Sequence, residues 1–266
     1  MEKNKILKIL PDDFKKQIKD TSIVPSSESG NLLIIHLMRD QHMKFRKAAE
    51  ILIEHNKDIF SVYTEFKGKY SHVGGDICIK DNINGYEFLV TPMSPIKDKR
   101  QIALYRRLRE LCPKGKTRNA IIIGTHSGLI PLHIAHLYNR LYCVDTKKHS
   151  STEAKENLRI NRTNNCLVLN DNIQKFITDF DNYRYTPPGR KHKIGLLISE
   201  ANMLVPDDMK RIVSIEPETV ILLSESECDL RIKSELEKAG YSTTLETKII
   251  SFSILKAKKV SADETA

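Results

Sequence analysis

Asn119-Ala-Ile-Ile-Ile-Gly-Thr-His-Ser-Gly128, followed by Leu141-Tyr-Cys-Val-Asp145, is the stretch that decides how this chain is read. The apolar run Ala120–Ile123 predicts a buried strand that breaks at Gly124, and a helix is expected from Gly128. The second apolar run, Leu141–Val144, ends in the acid Asp145. Glycine turn, helix start and a carboxylate closing the next strand are the layout of a nucleotide-binding βαβ unit. The loop is glycine-poor, however. Between Gly124 and Gly128 stand Thr125, His126 and Ser127, whose side chains occupy the space where backbone approaches a phosphate or a cofactor.

From residue 119 to the end, strand and helix patterns alternate, which predicts a mainly parallel sheet covered on both faces. The expected strands are 119–123, 140–144, 166–170, 194–198, 219–223, 242–247 and 250–256. The expected helices are 128–138, 151–162, 172–179, 206–213 and 229–239. The last two strands have no helix between them, so they form a terminal antiparallel hairpin. Seven strands finishing in this way is the plan of class I methyltransferases.

Upstream, residues 1–20 have the spacing of a basic amphipathic helix through Ile6, Ile9, Leu10 and Phe14, and 21–30 reads as a polar linker. Strands are expected at 32–37 and 59–66, a helix at 40–56 and a loop at 68–75. A hairpin is expected across Asp81-Asn-Ile-Asn-Gly85, and a basic helix at 97–111. The domains are then a basic N-terminal helix and linker (1–30), a small α+β domain (31–115) and a Rossmann-like domain (116–260).

The chain has 266 residues, 40% of them apolar, enough for a packed core, and a formal net charge of +9. An excess of cations points to an anionic partner, nucleic acid first. Lys97, Lys99, Arg100, Arg106, Arg107 and Arg109 share the basic helix, and Lys114, Lys116 and Arg118 follow it. Arg184, Arg190, Lys191 and Lys193 decorate the loop 181–193, where Tyr183 and Tyr185 can stack on bases. The five cysteines (Cys78, Cys112, Cys143, Cys166 and Cys228) show no CxxC or Cys/His spacing, which predicts reduced thiols and no metal centre. No apolar run is long enough for a membrane helix. Glu2, Asp12 and Asp13 argue against a presequence. An intracellular protein is expected, cytoplasmic or nuclear, with the mitochondrion left open.

Several segments, taken in order, resemble the RNA (uracil-5-)-methyltransferases, a family that includes tRNA uracil-5-methyltransferase. The resemblance covers about residues 31–258. It is carried by Gly75-Asp-Ile-Cys-Ile-Lys80, Asn84-Gly-Tyr-Glu-Phe-Leu-Val-Thr-Pro-Met-Ser94 and Ala103-Leu-Tyr105. Further on, it rests on Glu156-Asn-Leu-Arg-Ile-Asn161, Glu218-Thr-Val-Ile-Leu-Leu-Ser224 and Ala239-Gly-Tyr241. It implies a Rossmann-like class I methyltransferase sheet with a small N-terminal α+β domain, S-adenosylmethionine as cofactor, and tRNA or rRNA as partner. On that frame Gly124, Gly128, Asp145 and Asp171 are the cofactor-binding candidates, Asp145 toward the ribose hydroxyls and Asp171 toward the adenine amine. Ordinary strand-end or capping roles are the alternative for both acids.

The departures bear on activity. Where the family has Phe-Phe-Gln this chain has Pro95-Ile-Lys97, and the acidic-x-x-Cys-Gly-x-Gly loop reads Ile122-Ile-Gly-Thr-His-Ser-Gly128. The family's Asp-Pro-Pro-Arg reads Ser199-Glu-Ala-Asn202, its Ser-Cys-Asn-Pro reads Ser224-Glu-Ser-Glu227, and its C-terminal His-x-Glu base is missing. Addition to C6 of uracil needs a thiolate, which Glu225 cannot replace. Cys228, three residues later, is flanked by acids that disfavour a thiolate. No catalytic residue is therefore assigned. The expected protein is a non-catalytic RNA- or partner-binding relative; an active S-adenosylmethionine-dependent RNA methyltransferase and an assembly scaffold are the alternatives.

Overall fold

The computed structural model describes residues 6, 8–25, 30–92, 99–113, 118–181, 193–200, 204, 206–224, 230–249 and 252–260. The chain forms two compact units, Met1–Lys97 and Asp98–Ala266.

In the first unit a short helix α1 (Asp12–Lys15) precedes β1 (Ile18–Pro25) and β2 (Asn31–Leu37). A 3-10 turn at His42–Phe45 leads into helix α2 (Arg46–His55), then β3 (Ile59–Phe66) and β4 (Lys69–Gly75). These strands form one sheet in the order β1-β2-β3-β4. β2 and β3 are parallel, and α2 supplies the crossover that parallel neighbours require. Ala48, Ala49 and Leu52 of α2 bury against Leu33, Ile35 and Val62 on one face of the sheet. On the other face Leu32, Ile34 and Tyr63 pack with Ile79 and Val90. Those two residues belong to a hairpin of β5 (Ile79–Ile83) and β6 (Tyr86–Val90). Because both faces are covered, β2 is apolar without alternation.

Two expectations for this unit are corrected. The helix expected over 1–20 stops by Lys15, and Ile18–Pro25, part of it read as linker, is a strand paired antiparallel to β2. Its alternation is weak because it is an edge strand with only Ile18 and Val24 buried. The loop expected at 68–75 is β4, paired with β3. Its glycines serve packing: a Cβ on Gly74 would lie 2.7 Å from the Ala49 side chain.

In the second unit helix α3 (Lys99–Leu111) precedes the large sheet. There follow β7 (Asn119–Ile123), α4 (Leu129–Ile134), β8 (Arg140–Asp145), α5 (Lys148–Ile160), β9 (Cys166–Asn170) and α6 (Ile173–Asp181). The unit continues with β10 (Ile194–Glu200), α7 (Pro206–Ser214), β11 (Thr219–Ser224), α8 (Leu230–Lys238), β12 (Tyr241–Ile249) and β13 (Phe252–Lys259). The strand order is β12-β13-β11-β10-β7-β8-β9. The strands run parallel apart from β13, which is antiparallel to both β11 and β12. This is the Rossmann-like class I methyltransferase sheet, ending in the expected hairpin. Successive connections diverge between β7 and β10, so the carboxyl ends of those strands flank a crevice.

The units divide at Lys97/Asp98, ahead of the 115/116 division read from the sequence, because α3 packs within the second unit. Its Leu104, Tyr105, Leu108 and Leu111 are buried, and the Tyr105 ring lies 5.9 Å from that of His133. Among the described residues no helix is long and apolar enough to cross a membrane.

Tyr142, Phe176 and Phe180 form a buried aromatic group, centroids 5.3 to 6.3 Å apart. Phe176 is fully buried. Phe176→Ala is expected to cost about 3–5 kcal/mol in a denaturant melt, whereas Phe60→Ala, at a residue 45% exposed, is expected to cost less than about 1 kcal/mol.

Candidate functional site

The loop after β7 is held by its own backbone. The Gly124 N–H donates to the Val144 carbonyl at 2.9 Å, and the Gly128 N–H to the Thr125 carbonyl at 3.0 Å. Gly128 has φ +92°, and a Cβ there would lie 3.2–3.3 Å from backbone atoms of Ala154 in α5. That glycine is needed for close helix packing as much as for the turn. The fully buried Asn157 side chain adds a tie, its Nδ2 donating to the Ser127 carbonyl at 2.8 Å. Thr125 and Ser127 are buried, and the Thr125 hydroxyl has no hydrogen-bond partner among the described residues.

Asp145 closes the loop. Only 4% exposed, its carboxylate accepts the His126 N–H on Oδ2 at 3.0 Å and the Lys147 N–H on Oδ1 at 2.8 Å. Asn170 Nδ2 donates to the carbonyls of Asp145 and Thr146, each at 3.0 Å. The acid that the sequence aims at a ribose is thus bound to the chain itself.

His126 lies in the left-handed region at φ +48°. Its Nε2 stands 2.8 Å from Oε1 of Glu200, at the end of β10, so the pair spans the crevice between the two strand ends. The hydrogen bond to Glu200 holds the imidazole above its ordinary value; burial opposes this, and the charges of Glu200 and Asp145 add to it. Burial, with a further push from the Glu200 charge, raises the Tyr105 hydroxyl, which stays protonated. No motif in the sequence pairs His126 with an acid. Glu200 is 74 positions away, and only the strand order, which sets the ends of β7 and β10 side by side, could have revealed the pair.

Asp171 is also occupied. Oδ1 accepts the Asn172 N–H at 3.1 Å and Oδ2 meets Lys175 Nζ at 3.1 Å. The cap of α6 is Asn172, whose Oδ1 accepts the Lys175 N–H at 2.6 Å.

A bound S-adenosylmethionine would have to share the Asp145 carboxylate with two backbone amides, compete with Lys175 for Asp171, and meet the His126–Glu200 bridge between the strand ends. Among the described residues no cluster of His, Cys, Asp or Glu has the arrangement of a metal site. Cys112 and Cys143 are buried and Cys78 and Cys166 half-buried, all free of disulfides. Burial pushes the Cys112 thiol up to about 12 and Cys143 well above its usual range, so both are poor nucleophiles.

Of the basic candidates, Lys99, Arg100, Arg106 and Arg107 lie on α3. Arg106 is exposed, while Arg107 Nη1 pairs with Glu110 at 2.6 Å. Arg118 pairs with Glu218. Lys97, Arg184, Arg190 and Lys191 lie outside the described residues, as do Glu225 and Cys228.

No family model and no curated protein matches the chain. Solved structures do. A tRNA (uracil-54, C5)-methyltransferase from Pyrococcus abyssi, solved with S-adenosyl-L-homocysteine, superposes with TM-score 0.63 at 14% identity, over 92% of this chain and 60% of its own. This chain therefore spans less than two thirds of that enzyme. The TYW2 protein of P. horikoshii, in complex with MeSAdo, gives 0.55 at 13%, over 96% and 95% of the two chains. The aTrm5 protein in complex with tRNALeu gives 0.56 at 13%, over 93% and 74%. At these identities the likeness is one of fold.

Asp145→Ala leaves the amides of His126 and Lys147 without their acceptor, and is expected to destabilise the free protein by about 1–2 kcal/mol. An acid serving only a ligand would leave the melting curve of the free protein unchanged. Glu200→Gln should bring the His126 titration, followed by NMR, down toward its ordinary value. Because the folded-state pKa is raised, the pair's contribution is complete below about pH 6.5 and fades as pH rises through the folded value. The wild type should therefore lose stability relative to Glu200→Gln over that window.

Proposed function

We propose that this chain is an RNA-binding protein built on the methyltransferase fold, in which the cofactor crevice is closed by the chain's own groups and no methyl transfer occurs. The observation that carries this reading is the buried Asp145 carboxylate, with an amide on each oxygen. A ribose would have to share that buried carboxylate with both amides. The His126–Glu200 bridge lies on the same crevice, and Glu225 stands where the resemblance would require a thiol.

RNA, with tRNA or rRNA as its class, is favoured by the net charge of +9 and by the cations gathered on α3. Lys97, Lys99, Arg100, Arg106, Arg107, Arg184, Arg190 and Lys191 are its proposed contacts, acting on phosphates without reading sequence. That aTrm5 is solved with a tRNA supports the same partner class. A second reading, an active S-adenosylmethionine-dependent RNA methyltransferase, is favoured by neighbours of this fold solved with S-adenosyl-L-homocysteine and MeSAdo. In it Gly124, Gly128, Asp145 and Asp171 would line the cofactor.

Calorimetric titration with S-adenosylmethionine and S-adenosylhomocysteine separates the two. The first reading predicts no saturable micromolar binding; clear micromolar binding would overturn it, and methyl transfer to unmodified tRNA would then establish the second. For RNA, binding of unmodified tRNA should weaken steeply as salt rises, and reversing Arg106 and Arg107 to glutamate should lower both the affinity and the salt slope. A salt-independent affinity, or none, would remove RNA as the partner.

A further inference from the structure

A cluster in the first unit lies outside everything above. Ser22 on β1, His36 on β2 and Glu65 on β3 share one face of the four-stranded sheet. The register sets His36 opposite Glu65, and Ser22 opposite Ile34, two residues before His36. The Ser22 Oγ stands 2.9 Å from His36 Nε2, and His36 Nδ1 stands 2.9 Å from Glu65 Oε2. The remaining Glu65 oxygen, Oε1, accepts the Gly68 N–H at 2.5 Å.

With the His36 imidazole neutral, the chemistry of the three groups sets the direction of each bond. The bond from His36, with help from the Gly68 amide, holds the Glu65 carboxyl below its usual range. Ionised, it can only accept, so His36 Nδ1–H is the donor. In that tautomer Nε2 carries the lone pair, and the Ser22 hydroxyl donates to it. Nucleophile, base and orienting acid are thus joined through the correct ring nitrogens, the relation by which hydrolytic triads are recognised on unrelated folds. The cluster is also reachable: the side chains of His36 and Glu65 are 27% and 17% exposed, and Ser22 is half-buried.

We propose that Ser22, His36 and Glu65 form a nucleophilic triad acting on small carboxylic esters. Ser22 Oγ bonds to the ester carbonyl carbon while its proton passes to His36 Nε2. The carbon–alkoxide bond then breaks, and the alcohol leaves with that proton. Water attacks the acyl-Ser22, gives its proton to His36, and the acid departs as the proton returns to Ser22 Oγ. The balance is ester plus water to acid plus alcohol, with no further reactant. Glu65 is a positioning residue, holding the imidazole in the required tautomer.

The test treats the full-length protein with diisopropyl fluorophosphate, which forms an Oγ–phosphorus bond and releases fluoride, and locates the adduct by peptide mass. The expected result is one adduct, on Ser22, absent from Ser22→Ala and formed at least about 100-fold more slowly in His36→Asn, since a positioned general base contributes about that much. The wild type should also release p-nitrophenol from p-nitrophenyl acetate faster than Ser22→Ala does. An unlabelled wild type would overturn the proposal whatever the folding of the variants. So would adducts scattered over surface serines, or a Ser22 adduct formed equally fast without the histidine.

Discussion

A buried carboxylate must be satisfied by hydrogen bonds or remain a large desolvation cost, and Asp145 is satisfied from within the chain. Its two oxygens take the amides of His126 and Lys147, so one side chain fixes both the loop after β7 and the turn into α5. The bond to His126 also offsets the left-handed backbone of that residue, which costs about 1 kcal/mol for a side chain with a Cβ. Once His126 is held in that conformation, its ring meets Glu200 and the crevice between β7 and β10 is bridged. The state of the site follows from one acid.

The large sheet was legible in the sequence because its central strands are buried on both faces and read as unbroken apolar runs, Ala120–Ile123 and Leu141–Val144 among them. The hairpin of β5 and β6 was legible too, and the structure narrows its turn to Asn84-Gly85, both with positive φ. The edge strands β1 and β4 were not. Their outward positions are polar, and the glycines of β4 look like a loop until Ala49 is seen packed against Gly74. At the site, the glycine spacing and the acid after β8 marked the place. They could not show what occupies the acid, because His126 and Glu200 come together only through the strand order.

Fold and site depend on different residues. The sheet is held by apolar side chains such as Leu197, Val220 and Leu222, none of which takes part in the crevice. Polar residues at the strand ends can therefore change without unmaking the architecture, which is how chains of 13–14% identity share it. Two histidine–glutamate pairs put the imidazole to different use. At His126 the partner bridges two strand ends; at His36 the distal nitrogen lies 2.9 Å from Ser22 Oγ. The neighbours of the ring, more than the pair itself, set what each histidine can do.

Residue-resolved amide hydrogen exchange at His126 and Lys147 measures the Asp145 clasp directly. If the carboxylate is committed to these two amides, both exchange slowly in the free protein and their rates do not change with saturating S-adenosylhomocysteine. Exchange at the rate of an open loop, or slowing only when S-adenosylhomocysteine is added, would contradict the clasp and show a crevice that still takes a cofactor.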